Sequence, residues 1–235
     1  HIEEWAAWGN LGESGTALLV ADAAFDLQAQ LQSRSGTAEH GAEKQSQNLF
    51  FETLSSFIDP YTNEDDQQAG YSFESFNYSV IAKSGLVRRL LISSDVNFGY
   101  QELNSLEHIL EGKFNDDGIF IGRVKVFGKW IDEPFVLPPI AELGKSKDSK
   151  LGSFQLRLGS YEGNLKDSTL SAEQHAQVVE KGQDFAGLKV YRDGLRVLPY
   201  GRESNDFFEI EKRRAKNAGR EFWAYRRIFG RIGIS

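Results

Sequence analysis

The chain has 235 residues, 40% hydrophobic and 26% charged, with a formal net charge of −7, so it can bury a substantial core and disorder is not its default state. Zero cysteines exclude disulfides, thiolate nucleophiles and cysteine-ligated metals, and the four histidines (His1, His40, His108, His175) are too scattered for metal-ligand spacing, so no metal site is expected. With no run of 18 apolar residues and no basic-then-apolar start, neither a membrane span nor a signal peptide is expected, which points to a cytoplasmic protein.

Residues 15–22 form a short apolar run entered through Gly15 and Thr16, which predicts a strand buried on both faces. A polar Gly/Ser/Gln-rich connection follows over 28–47. Across 43–58, Leu49, Phe50, Leu54, Phe57 and Ile58 recur at three- and four-residue steps, the spacing of an amphipathic helix, and Asp59-Pro60 ends it. An acidic loop is predicted at 63–68. Phe76, Tyr78 and Val80 then alternate with Asn77, Ser79 and Ile81 as in a strand.

A second unit begins near residue 96. Two strand-like runs, 107–114 and 119–126, flank Asn115-Asp116-Asp117-Gly118, whose Asp-Gly pair is a hairpin signal because the turn needs positive φ. The stretch 151–158 alternates polar and apolar residues as a half-buried strand does. Ser171 with Gln174 makes a capping box for a helix reaching about residue 183. Lys189-Val190-Tyr191 and Leu195-Arg196-Val197-Leu198 flank Arg192-Asp193-Gly194 as a second hairpin. Ser204 or Asn205 is placed to cap a helix carrying Phe207, Phe208 and Ile210, stopped by Asn217-Ala218-Gly219, and 226–234 alternates again as a strand returning to the sheet. The predicted class is α+β, without internal repeats.

Catalytic patterns are scarce. No serine sits in a Gly-x-Ser-x-Gly elbow, no histidine has a partner for nucleophile activation, and no P-loop occurs, so no catalytic residue is nominated. Glu64-Asp65-Asp66 and Asp116-Asp117 lack calcium-loop spacing and read as loop and turn residues. Charge is uneven: residues 189–231 hold 12 Lys and Arg against 6 Asp and Glu, which leaves the rest strongly acidic. Such a basic run serves either as a solvated helix face or as an anion-contacting surface.

The segment 187–201, with Tyr191-Arg192-Asp193-Gly194-Leu195-Arg196-Val197-Leu198-Pro199-Tyr200-Gly201, continues through Asn205-Asp206 to Glu211-Lys212-Arg213-Arg214. It resembles the ordered signature of bacterial ATP-binding proteins of the GHKL (Bergerat-fold) class, which includes gyrases, heat-shock-type chaperones, histidine kinases and MutL-like proteins. There the signature lies in the transducer domain behind the nucleotide fold. The resemblance implies that residues 1–95 are the C-terminal remnant of the nucleotide-binding fold, closing an α/β sandwich. It also implies that 96–235 are a transducer of mixed sheet and helices with a ribosomal-protein-type β-α-β left-handed crossover. Gly15 and Thr16 match the Gly-Thr pair that follows the ATP lid, where the threonine helps hold adenine. Arg213, Arg214 and Arg220 match the region from which a transducer cation reaches the γ-phosphate; as cations at a helix end they equally suit the C-terminal dipole.

The family's asparagine-bearing magnesium helix, its Asp-x-Gly-x-Gly adenine loop and its glycine-rich lid do not occur in these 235 residues. With no methionine, even at position 1, the chain reads as a piece of a longer protein. ATP and Mg are then cofactors of the intact parent, and this piece alone is expected to bind neither. The expected partners are the missing N-terminal nucleotide-binding portion and, as is common for such ATPases, a second copy in a homodimer. A non-catalytic module that contacts DNA or a protein through the basic 189–231 region is the alternative, and a free-standing hydrolase with a carboxylate site is a third.

Overall fold

The structure, a computed structural model, describes residues 41–68, 78–84, 87–93, 98–139, 152–202, 204–216 and 223–234. The chain divides into two compact units, His1–Gln47 and Asn48–Ser235. Of the first, only the start of one helix is described, and the strand predicted at 15–22 lies outside the described residues. The second unit carries the architecture, which is α+β as the element order predicts.

Helix α1 (Gly41–Ser55) ends three residues short of the predicted limit. The competing bonds come from a distant hairpin: the Asp59 N–H donates to Gly194 O at 2.9 Å and Phe57 O accepts from the Arg196 N–H at 2.9 Å, while Ile58 makes a single antiparallel bridge with Leu195. The predicted acidic loop is instead a one-turn helix, α2 (Glu64–Gln68). Asn63 and Asp66 each accept the other's backbone N–H, at 2.9 and 3.0 Å, and three acidic residues in the first turn complement the helix dipole. Strands β1 (Ser79–Ser84) and β2 (Val87–Ser93) pair antiparallel as a separate two-stranded sheet. The predicted strand at 76–82 corresponds to β1, and its first two residues lie outside the described residues. A short helix, α3 (Tyr100–Asn104), leads into the main sheet.

The main sheet has eight strands: β3 (His108–Phe114), β4 (Phe120–Val126), β5 (Lys129–Trp130), β6 (Phe135–Leu137), β7 (Phe154–Ser160), β8 (Gly187–Arg192), β9 (Leu195–Arg196) and β10 (Ile228–Ile234). Their order is β5-β4-β3-β7-β10-β8-β9, with β6 beside β5 on the free edge of β4. Every pair is antiparallel except β10 with β8. Helix α4 (Ala172–Phe185) opens on the predicted capping box: the Ser171 hydroxyl accepts from the Gln174 N–H and the Gln174 side chain accepts from the Ser171 N–H.

Three tight connections set the strand pairing. Asp193 and Gly194 have φ of 49° and 79°, as a two-residue hairpin turn requires. Around Asn115 the loop is longer: only Gly118 is left-handed, and the Asn115 side-chain oxygen accepts from the Asp117 and Ile119 N–H groups. The third turn, Phe127-Gly128, joins β4 to β5 with both residues left-handed and lacks the Asn or Asp that usually announces such a turn.

The sheet is covered on both faces. On one, Ile109 and Phe229 meet Tyr61, Phe98, Leu103, Leu106, Tyr161 and Phe185, with α3 and α4 above. Gly159 makes this packing possible, because a Cβ there would lie 2.7 Å from the Leu106 side chain. On the other face Leu158, Leu188 and Ile228 pack with Leu156, Phe208, Ile210, Trp223 and Ile232. Helix α5 (Ile210–Lys216) lies on this second face and starts later than predicted, so Phe207 and Phe208 precede it. Glu209 takes a left-handed φ of 55°, and the capping groups come from Asp206, whose carboxylate accepts from the Ile210 and Lys212 N–H groups at 2.7 and 2.9 Å, rather than from Ser204 or Asn205.

Candidate functional site

Strand register lines up five charged side chains across the first face of the sheet. Arg123 on β4 pairs with Glu111 on β3, which pairs with Arg157 on β7, then Arg231 on β10, then Lys189 on β8. Directly opposed residues project from the same side, so this is one continuous row. Charged rows normally face water, yet Arg231 and Lys189 are each 1% exposed. The segment that leaves α1 meets Arg231 and supplies its compensating carboxylates, Asp59 and Asp66.

The ion pairs form a chain. Asp59 Oδ2 accepts from Arg231 Nη1 at 2.8 Å; Asp66 Oδ2 lies 2.9 Å from Arg231 Nη2 and 2.7 Å from Arg157 Nη1; Glu111 Oε2 accepts from Arg157 Nε at 3.1 Å. Arg157 also donates to Tyr61 O and stacks its guanidinium 4.6 Å from the Tyr100 ring centroid, while Arg231 Nη2 donates to Gln155 Oε1 at 2.6 Å. Burial pushes both carboxyls up. For Asp59 burial prevails over Arg231, whereas Asp66 is drawn below the usual carboxylate range by Arg231, the Asn63 N–H and Arg157. Glu111, Arg157 and Arg231 border an open groove of about 680 Å³, lined also by Asn63, Asp65, Asp66 and the run from Trp130 to Pro134.

Lys189 ends the row differently. Its Nζ donates to Phe185 O and, at 3.1 Å, to Ala186 O, capping the C-terminus of α4. Burial, with a contribution from Arg196, lowers its pKa to about 7. A second buried polar cluster ties the turn after β7: the Glu107 carboxylate accepts from the N–H groups of Glu162, at 2.9 Å, and of Thr169, and from the Thr169 hydroxyl at 2.8 Å. His108 and His175 sit on a strand and a helix, beside Glu162.

The signature 187–201 forms the β8–β9 hairpin, and its two arginines have opposite surroundings. Arg192 is exposed beside Asp193, whereas the Arg196 side chain is 1% exposed and turns inward, bonding Glu52 at 2.9 Å, the Ser56 hydroxyl and Tyr200 O at 3.0 Å. Tyr191 is buried, with its hydroxyl donating to Ser56 O at 3.2 Å, and Arg202 Nη2 donates to the Thr53 hydroxyl at 2.8 Å.

Gly15, Thr16 and Arg220 lie outside the described residues. Arg213 and Arg214 lie on α5, on the face of the sheet opposite the charged row, where Arg214 pairs with Glu211 at 3.1 Å. The strongly basic count of 189–231 thins at the surface. Lys189, Arg196 and Arg231 are buried, and Lys212 and Arg214 are paired with Glu209 and Glu211. Among the described residues no group of three or more His, Asp or Glu is arranged to hold a metal. Nor is any helix among them long and apolar enough to cross a membrane. Sequence patterning did not select Glu111, Arg157, Arg231, Asp59 or Asp66. The one available signal was Arg231 in the middle of the apolar run 228–234. Comparison with protein-family models, with curated proteins and with solved structures finds no match for this chain.

Proposed function

We propose that the chain is the transducer portion of a GHKL-type ATPase, with residues up to about 95 closing the nucleotide-binding fold and 96–235 forming the lever. In this reading ATP and Mg are held by the upstream portion together with Gly15 and Thr16, and Arg213, Arg214 or Arg220 answers to the γ-phosphate. In this reading the chain's own contribution is mechanical.

The observation that carries the reading is the use made of the signature hairpin. Its residues bind one earlier segment: Arg196 holds Glu52 and Ser56, Tyr191 holds Ser56, Arg202 holds Thr53, and Gly194 accepts from Asp59. A displacement of the chain entering through α1 therefore meets the hairpin first and passes to β8, which is paired with β10 in the middle of the sheet. A packed element of this kind transmits a shift as a unit because interiors do not deform continuously.

The test extends the chain upstream to its coding start and measures nucleotide binding and ATP turnover. Binding and turnover are expected, with Arg196→Ala retaining binding and losing at least about ten-fold in turnover, equivalent to about 1.4 kcal/mol. An extended chain with no nucleotide affinity removes the proposal.

A further inference from the structure

Arg157 and Arg231 are direct cross-strand partners on β7 and β10. Like charges in that relation repel; Glu111 and Asp59 each offset one of them, and a single oxygen bridges both: Asp66 Oδ2, 2.7 Å from Arg157 Nη1 and 2.9 Å from Arg231 Nη2. Two guanidinium groups converging on one oxygen are the arrangement that recognises phosphate and carboxylate groups.

Each arginine is held from elsewhere. Glu111, Tyr61 O and the Tyr100 ring fix Arg157; Asp59 and Gln155 fix Arg231. The pair thus keeps its geometry without Asp66, which is the condition for a preorganised site. Arg231 Nε is in addition a buried donor with no hydrogen-bond partner among the described residues, and such unspent donors are uncommon in folded proteins.

Asp66 rides on the five-residue helix α2, far shorter than a helix that is stable by itself. Asp66 also lines the groove of about 680 Å³, which has room for much more than a carboxylate and whose 130–134 wall carries Trp130, Ile131 and Pro134, with Asp132 and Glu133 between them. The wall supplies apolar surface for the body of a ligand while the arginines hold its anionic end.

We propose that Arg157 and Arg231 form a receptor for an organic phosphate, and that Asp66 is its built-in occupant, displaced when the phosphate enters. The receptor stands independently of the transducer reading. The ionised Asp66 carboxylate mimics one phosphate oxygen, and the groove beside Trp130 takes the group that the phosphate carries.

The experiment uses the full chain, with inorganic phosphate and phenyl phosphate as probes in titration calorimetry and chloride at matched ionic strength as the control. Asp66→Asn keeps the side-chain volume and removes the competing charge. It is expected to bind phenyl phosphate at least ten-fold tighter than the wild type, with inorganic phosphate weaker because it leaves the Trp130 wall empty. Equal affinity for the two probes assigns the site to free phosphate and overturns the organic part. Adding Arg157→Gln to Asp66→Asn should abolish the gain. In the wild type, saturating phenyl phosphate should raise amide hydrogen exchange across 62–68 as α2 is released. Should Asp66→Asn fail to fold in chloride, refolding in phenyl phosphate supports the receptor and failure in both overturns it. Equal heats for the wild type, Asp66→Asn and the double variant, with exchange across 62–68 unchanged, also overturn it.

Discussion

Lys189 shows how a buried charge adjusts to its surroundings rather than to its sequence neighbours. A neutral amine has two N–H donors, enough for both Phe185 O and Ala186 O, so the capping bonds survive loss of the proton. With a folded pKa near 7 against an ordinary 10.5, the unfolded chain binds more protons between those values, and stability must rise as pH rises across that window. One proton corresponds to about 1.4 kcal/mol per pH unit, so chemical denaturation at pH 7.5 and pH 9.5 should show a clear gain from this group. Lys189→Met, close in volume and without the titrating group, should lose that part of the slope; an identical slope in the variant would show that Lys189 stays protonated. Arg231, its neighbour in the row, is instead flanked by carboxylate partners. Arg231→Met strands Asp59 as a buried carboxylate, while Asp66 keeps Arg157, and a loss of about 3–5 kcal/mol is expected in the same denaturation measurement.

Elements defined by local chemistry were legible in the sequence. The Ser171–Gln174 box, the Asp193-Gly194 turn and the alternation at 226–234 each place their constraint within a few residues, and each element forms there, the last strand starting two residues late behind a 3-10 turn at Tyr225–Arg227. Ser171→Ala should accordingly cost about 1 kcal/mol, read as a lowered denaturation midpoint with an unchanged slope. The misplaced boundaries share another cause. Helix α1 ends early because a hairpin some 140 residues away claims its next backbone groups, and α5 starts late because Glu209 is left-handed beneath the Asp206 carboxylate. A third case is the strand at 151–158, read as half-buried. Its polar side is covered too, because Tyr61 and Asp66 arrive from another part of the chain to meet Arg157. Gly230 marks the tightest of these long-range fits: with φ of 153°, a Cβ would lie 2.1 Å from Arg157 O. Gly230→Ala should therefore cost about 3 kcal/mol, most of it from separating β10 and β7, and amide exchange along those two strands reads it directly.

At the scale of the molecule, the candidate site was the part least visible in sequence, because its residues come from 59–66, 111, 157 and 231 and only the strand register brings them together. The signature at 187–201 was visible, but what it does was not: nothing in its spacing separates Arg196, a buried anchor for α1, from the exposed Arg192. That anchor gives the whole-chain prediction. If the hairpin is the point at which the entering segment is held, Arg196→Ala should release residues 52–61 without dissolving the sheet. Hydrogen exchange should then rise at Asp59, whose N–H is bonded to Gly194 O, and stay low at Ile109 and Phe229, whose strands lie deeper in the sheet. Uniform loss of protection across both regions would make Arg196 a general stabiliser and the hairpin no separate element. Retained protection at Asp59 would leave Gly194 and Tyr191 sufficient to hold the segment, and the lever would then have no single pivot.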